Sequence, residues 1–142
     1  MIQHSTQIRV RYADTDQMKV VYYGKYLEYF EVGRAALIRS LGLPYSELER
    51  RGILLPVVEA YVKYRNPAHY DDLISIEARV SELPHATLKI DYRVILDREE
   101  EPLAEGYTVH SFFSAASGKP TRPPAYFMEI LENAIDGKEV KS

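Results

Sequence analysis

At 142 residues, 46% hydrophobic and 27% charged, the chain has the size of one domain able to bury a real core, and neither wholesale disorder nor a fibre fits it. A net charge of −3 with scattered basic residues argues against nucleic acid as a partner, and no apolar run approaches the roughly 20 residues of a membrane helix, so membrane insertion is not expected. Cysteine is absent, which removes disulfides, thiolate nucleophiles and thiolate metal sites together. The opening Met1-Ile2-Gln3-His4-Ser5-Thr6-Gln7 lacks a signal-peptide pattern, so a cytoplasmic location is expected.

Gln7 to Tyr12 alternates, with Ile8, Val10 and Tyr12 on one side and Gln7, Arg9 and Arg11 on the other, which predicts a half-buried strand. The Asp14-Thr15-Asp16 loop follows. A long helix then starts between Tyr22 and Lys25 and runs to about Leu41. Leu27, Phe30, Arg34, Leu37 and Leu41 recur at three- and four-residue steps, Glu28, Glu31 and Arg39 lie off that line, and Gly42 and Pro44 supply the stop. Pro44 to Arg51 reads as a short second helix closed by Gly52.

Four strands follow without another long helix between them. Leu55 to Tyr64 alternates through Val58, Ala60, Val62 and Tyr64 until Asn66-Pro67 breaks it. Leu73 to Val80 alternates through Ile74, Ile76, Ala78 and Val80, and Thr87 to Leu96 through Leu88, Ile90, Tyr92, Val94 and Leu96. The charged run from Asp97 to Pro102 is a hairpin turn, and Leu103 to Phe113 is the returning strand. Ser117 to Pro124 reads as loop, Ala125 to Ala134 as a short amphipathic helix, and 136–142 as a frayed tail.

No repeat or linker divides the chain. Consecutive strands joined by short turns are simplest as antiparallel neighbours, and one helix of about four turns covers one face of their sheet. The fold class is α+β, and Gly33, Ala35 and Ala36 let the sheet approach the helix closely. A sheet with an open face and edges finds a partner, so a homo-oligomer is expected.

The chemistry points to the start of the long helix. Its first N–H groups lack intrahelical partners and carry the positive end of the helix dipole, so they can polarise an electron-rich carbonyl such as that of an ester or thioester. Asp14 and Asp16 lie just upstream. Asp16 reads as a general base for water or as a nucleophile; the alternative for either acid is holding turn backbone, and Asp14 reads as that brace. An Asp-Thr-Asp metal pair would need further ligands, and none is evident, so no metal is expected. The 12 tyrosines either line a pocket or scatter over strands and interfaces. His69 and His110 read as structural.

Three spaced motifs carry a resemblance. Tyr12-Ala13-Asp14-Thr15-Asp16, Val20-Val21-Tyr22-Tyr23 and Tyr26-Leu27-Glu28-Tyr29-Phe30-Glu31-Val32-Gly33-Arg34 resemble the signature of hotdog-fold acyl-CoA thioesterases of the 4-hydroxybenzoyl-CoA thioesterase type. Arg65-Asn66-Pro67-Ala68-His69-Tyr70-Asp71-Asp72-Leu73-Ile74 is similar to that family's second landmark and Ser117 to Pro123 to its closing loop. The match runs from about Ile8 to Leu131.

The resemblance implies one hotdog domain: a five-stranded antiparallel sheet wrapped around a long central helix, two chains joined edge to edge, and often a homotetramer. It implies hydrolysis of an acyl-CoA thioester to free acid and CoA, without a cofactor, since CoA is part of the substrate. Asp16 becomes the catalytic carboxylate and the Tyr23 backbone N–H the donor to the thioester carbonyl. Glu31 faces the acyl group, Leu55, Pro56 and Val57 line the pocket across the dimer, and His85 and Lys89 stand where some members hold the nucleotide.

This chain departs from the pattern twice. Lys19 stands where glycine is common, either changing the loop or reaching a CoA phosphate, and Tyr23 stands where many relatives have His. Arg65, Lys63 and Arg122 are either phosphate contacts or solvated cations, and Glu31 with Arg34 is alternatively a surface ion pair. Two rivals stay open. A hotdog dehydratase or hydratase pairs a His with an acid at the helix, and no His lies between Thr6 and Pro67. A non-catalytic acyl-CoA-binding module would bind without releasing thiol. Whether the acyl group is aliphatic or aromatic is open.

Overall fold

The computed structural model describes residues 2–135; the predicted tail at 136–142 lies outside them. In chain order the elements are β1 (Ile2–Arg9), α1 (Lys25–Ser40), α2 (Tyr45–Arg50), β2 (Ile53–Leu54), β3 (Val57–Tyr64), β4 (Leu73–Val80), β5 (Thr87–Leu96), β6 (Pro102–Ser111), β7 (Phe113–Ser114), β8 (Lys119–Pro120) and α3 (Ala125–Ile135). The five long strands form one antiparallel sheet in the order β1-β4-β5-β6-β3, and α1 packs on it, chiefly against β1 and β4. This is the α+β hotdog arrangement that the resemblance implied.

Strict alternation made β4 and β5 legible, and both have the predicted ends. Ile74, Ile76, Ala78 and Val80 on β4 face inward with Leu88, Ile90, Tyr92 and Val94 on β5, all at most 2% exposed. Against them α1 lays Phe30, whose ring stacks on Tyr92 at 4.3 Å and 5°. Gly33 is what allows the helix so close: a Cβ there would lie 2.7 Å from Ile76 Cγ2. At Gly106 on β6 a Cβ would meet the Tyr61 carbonyl oxygen of β3 and crowd the Phe30 ring.

Four expectations shift. The first strand begins at Ile2 and ends at Arg9, rather than spanning Gln7 to Tyr12, because the inward positions His4 and Thr6 are polar and hide the pattern. The buried stripe of α1 is Tyr26, Tyr29, Phe30, Gly33, Leu37 and Ile38, while Leu27 is 44% exposed. The helix is thus turned from the predicted line, since tyrosine and glycine supply much of its buried face. β3 is an edge strand, exposed at every position but Val62, with a bulge between Val57 and Glu59. The predicted loop Ser117 to Pro124 contains β8, which with β2 and β7 makes a second, three-stranded sheet in the order β2-β7-β8.

Candidate active site at the start of the long helix

The loop joining β1 to α1 is organised around a buried acid. Tyr12–Asp14 makes one 3-10 turn, and Asp14 points inward, 3% exposed. A buried carboxylate needs donors. The Arg11 N–H donates to Oδ2 at 3.1 Å, Arg11 Nη2 to Oδ1 at 3.1 Å and the Tyr29 hydroxyl to Oδ2 at 3.0 Å, while Lys25 Nζ lies 3.6 Å from Oδ1. Burial pushes the Asp14 carboxyl up, but the bonds from Arg11 and Tyr29 outweigh it and hold the group below its ordinary range. Burial and that same carboxylate push the Tyr29 hydroxyl far up. Asp14 braces the loop.

Past Asp14 the chain doubles back as a small hairpin. The Tyr22 N–H donates to the Asp14 carbonyl at 2.9 Å, Thr15 pairs with Val21, and the Asp16 N–H donates to the Val20 carbonyl at 2.9 Å. At its tip the Lys19 N–H donates to the Asp16 carbonyl at 2.9 Å and the Met18 N–H to Asp16 Oδ1 at 2.8 Å. Lys19 has a φ of 66°, a left-handed conformation that glycine adopts without cost. The hairpin is stitched to the segment before β4 by Val21 N–H to the Ala68 carbonyl at 2.8 Å and by the pairing of Val20 with His69.

The helix start completes the site. The Tyr22 carbonyl accepts from the Lys25 N–H at 2.9 Å. In a trans peptide the N–H points opposite its own carbonyl, so the Tyr23 N–H, which shares a peptide with that carbonyl, points out of the helix start. Among the described residues no acceptor takes it. The Tyr64 hydroxyl donates to the Tyr23 carbonyl at 2.9 Å, fixing the next peptide as well.

Asp16 and Tyr23 line one cleft of about 290 Å³ with Val20, Val21, Tyr26, Tyr64, Arg65, Asn66 and Pro67. Its walls are mainly tyrosine rings and valine, with Tyr26 edge-on to Tyr64 at 5.2 Å. An exposed carboxylate that shares a cleft with an unclaimed, dipole-assisted amide can deliver an oxygen nucleophile to a carbonyl held by that amide. The Tyr64 wall had no local signal, since it meets the helix start across 41 residues, whereas Arg65 opens the second motif.

The other predicted residues lie elsewhere in the protomer. Glu31 and Val57 line a second cleft, also of about 290 Å³, with Leu27, Glu28, Arg34, Ala60 and Thr108, and Arg34 Nη2 stands 3.6 Å from Glu31 Oε1. Leu55 is 2% exposed within the protomer, its side chain packed in the core. Pro56 is exposed, and its carbonyl accepts the Ser111 N–H at 3.1 Å. His85 and Lys89 share a third cleft, of about 320 Å³, with Glu82 and Asp91, and Lys89 Nζ lies 4.6 Å from the centre of the Tyr107 ring on the outer face of the sheet. In the sheet register Lys89 stands opposite Val109, five positions from Val94, which shares a row with Ala104 and Tyr64. That is roughly 17 Å along the strands at about 3.4 Å per residue.

Beneath the second cleft runs a neutral buried chain. Tyr92 Oη lies 2.7 Å from Thr108 Oγ1, which lies 2.8 Å from His110 Nε2, and His110 Nδ1 lies 3.0 Å from the Leu55 carbonyl. A carbonyl only accepts, so Nδ1 carries the hydrogen, Thr108 donates to Nε2 and Tyr92 donates to Thr108. Burial lowers His110 to about 4, in keeping with a neutral ring. Among the described residues no three His, Asp or Glu side chains converge as a metal-binding group, and no helix is long and apolar enough to cross a membrane.

The family model of the thioesterase-like superfamily matches residues 10–131. A Bacillus subtilis protein, YneP, whose name proposes an acyl-CoA thioesterase, is 52% identical over 66 residues, 46% of this chain and 48% of that protein, so the match spans about half of its length. The acyl-CoA thioesterase YbgC of Haemophilus influenzae is 35% identical over 92 residues, 64% of this chain and 68% of that one. The crystal structure of the DHNA-CoA thioesterase from Staphylococcus aureus superposes with a TM-score of 0.85 at 29% identity, covering 99% of this chain and 98% of that one.

Proposed function

The chain belongs to the thioesterase-like superfamily, and from that premise we propose how it works. It hydrolyses an acyl-CoA thioester to a free carboxylic acid and CoA. The thioester carbonyl oxygen accepts from the Tyr23 N–H, which meets the negative charge that grows there as the carbon becomes tetrahedral. Asp16 either takes a proton from the water that attacks the carbon or attacks it directly, forming an anhydride that water then opens. In both courses the carbon–sulfur bond breaks and CoA leaves as a thiolate that takes up a proton. Carboxylate, amide and water suffice, with no added cofactor.

The acyl group extends along α1 toward Glu31 and Val57. The nucleotide of CoA is held by His85 and Lys89 of the second subunit, because in one protomer those residues stand on the outer face and far along the strands from Asp16. The bare edge of β3, with Val57, Val58, Tyr61 and Tyr64 each about half exposed, joins the same edge of a second copy, and two such dimers make the tetramer. The reaction takes place in the cytoplasm.

The single observation that carries this reading is Asp16 sharing a cleft with an unclaimed amide at a helix start. The test follows thiol release from a panel of aliphatic and aromatic acyl-CoAs with a thiol-reactive dye. The Asp16→Asn variant should lose on the order of 10²–10⁴-fold in kcat. A folded Asp16→Asn variant with wild-type turnover would remove the assignment.

A further inference from the structure

The loop holds a second carboxylate to which the reaction above gives no part. We propose that Asp14 is a positioning residue for hydrolysis, fixing the Asp16 hairpin against the Tyr23 amide through simultaneous ties to the strand exit, the hairpin and the helix. The proposal rests on the reading of Asp16 and Tyr23 just given.

Backbone ties come first. The Asp14 carbonyl accepts the Tyr22 N–H at 2.9 Å and the Tyr22 carbonyl accepts the Lys25 N–H at 2.9 Å. Tyr22 is therefore held on both sides: Lys25 bonds the peptide that presents the Tyr23 N–H, and Asp14 bonds the peptide before it. Asp14 is also two residues from Asp16, across the first bonds of the hairpin. A shift of Asp14 moves the nucleophile and the oxyanion donor relative to each other.

The side chain then locks that arrangement to the helix. Lys25 and Tyr29 are four residues apart on one face of α1, and both reach the Asp14 carboxylate, Tyr29 by a hydrogen bond of 3.0 Å and Lys25 at 3.6 Å. Lys25 also pairs with Glu28 at 3.0 Å. With no charge on residue 14, Lys25 would turn to Glu28 and the first turn of α1 would lose a tie to the loop. Asp14 does not itself act on substrate: it is 3% exposed, it does not line the cleft, and its oxygens are already engaged by Arg11, Tyr29 and Lys25.

The reacting groups of an enzyme tolerate little misplacement, and about 1 Å can cost on the order of 100-fold. The effect should fall on kcat and leave ground-state binding nearly alone, and since a loss of folded protein would also lower apparent kcat at unchanged KM, turnover is counted per folded molecule. The experiment measures kcat and KM per folded molecule, well below the Tm, for Asp14→Asn, which keeps the shape and removes the charge, and for Tyr29→Phe, which removes one tie.

The Asp14→Asn variant should lose about 10- to 100-fold in kcat and Tyr29→Phe less, with KM within about twofold of wild type. Asp14→Asn decides where it folds, and Tyr29→Phe decides otherwise. Wild-type kcat in the deciding variant overturns the proposal, whatever happens to the Tm. Asp16→Asn is run beside them: a collapse there with an unchanged deciding variant removes the role of Asp14 alone, whereas wild-type turnover in Asp16→Asn removes the catalytic reading and this one with it.

Discussion

The start of α1 and its middle both bury polar groups, by opposite means. At the start a charge is buried, and Arg11, Tyr29 and Lys25 converge on Asp14 to keep it. In the middle the chain from Tyr92 through Thr108 to His110 and the Leu55 carbonyl is neutral, and Phe30 stacks on its first member. A charge held by several donors creates a directed field beside solvent, which chemistry can use. A neutral chain in which each member donates to the next closes on itself and lets the surrounding core pack as if it were apolar. Substitutions in the middle should therefore act on stability and those at the loop on turnover.

The sharpest contrast is between Phe30→Ala and Asp16→Asn. Phe30 is 0% exposed and stacked, so its truncation should cost about 3–5 kcal/mol of stability in urea unfolding. Asp16 is exposed, and an asparagine can still accept from the Met18 N–H, so that variant should stay within about 0.5 kcal/mol of wild type. A comparable loss of stability in both would break the division between the two regions.

Acid separates the networks next. His110 has an ordinary value of 6.5 and is lowered to about 4 in the fold. Above pH 6.5 neither state takes the proton; between 6.5 and about 4 the unfolded chain takes it and the folded chain refuses it, so stability falls as pH falls. The full loss is about 3 kcal/mol. Asp14 is lowered too, but from 3.8, so its contribution is present above that value and is lost only as pH falls further, through its folded value. Urea unfolding of wild type and His110→Gln across this range should show a steeper decline in wild type above pH 4, and parallel declines would refute the assignment.

What was legible in the sequence follows the same division. β4 and β5 alternate strictly and were read to their ends, and Asp16 near the helix start was legible because loop and helix are adjacent in the chain, while Tyr23 was singled out by the family motif alone. The register of α1 was misread because its buried face uses Tyr26, Tyr29 and Gly33, which a hydrophobic count discounts. The inward His4 and Thr6 hid the start of β1 in the same way. Contacts between segments far apart in the chain left no local mark: His110 bonded to the Leu55 carbonyl across 55 residues, or Tyr64 bonded to the Tyr23 carbonyl across 41. Nor could motif order say that Glu31 and Val57 lie in one cleft and His85 and Lys89 in another.

The smallest expected effect sharpens the comparison at the hairpin tip. Lys19 holds a φ of 66° in the Asp16–Lys19 turn, and a left-handed residue with a Cβ costs about 1–2 kcal/mol relative to its right-handed form. Glycine removes that cost but adds freedom to the unfolded chain worth about 0.4–1 kcal/mol. Lys19→Gly should therefore raise stability by roughly 0.5 kcal/mol, seen as a higher urea midpoint at unchanged slope. The same variant separates the two roles open to this lysine. If the side chain reaches a CoA phosphate, KM rises for acyl-CoA but not for a phosphate-free pantetheine thioester; if Lys19 only occupies the turn, both KM values stay where they are. A loss of stability in place of the gain would mean that the lysine side chain supports the loop through contacts that offset the strain at its backbone.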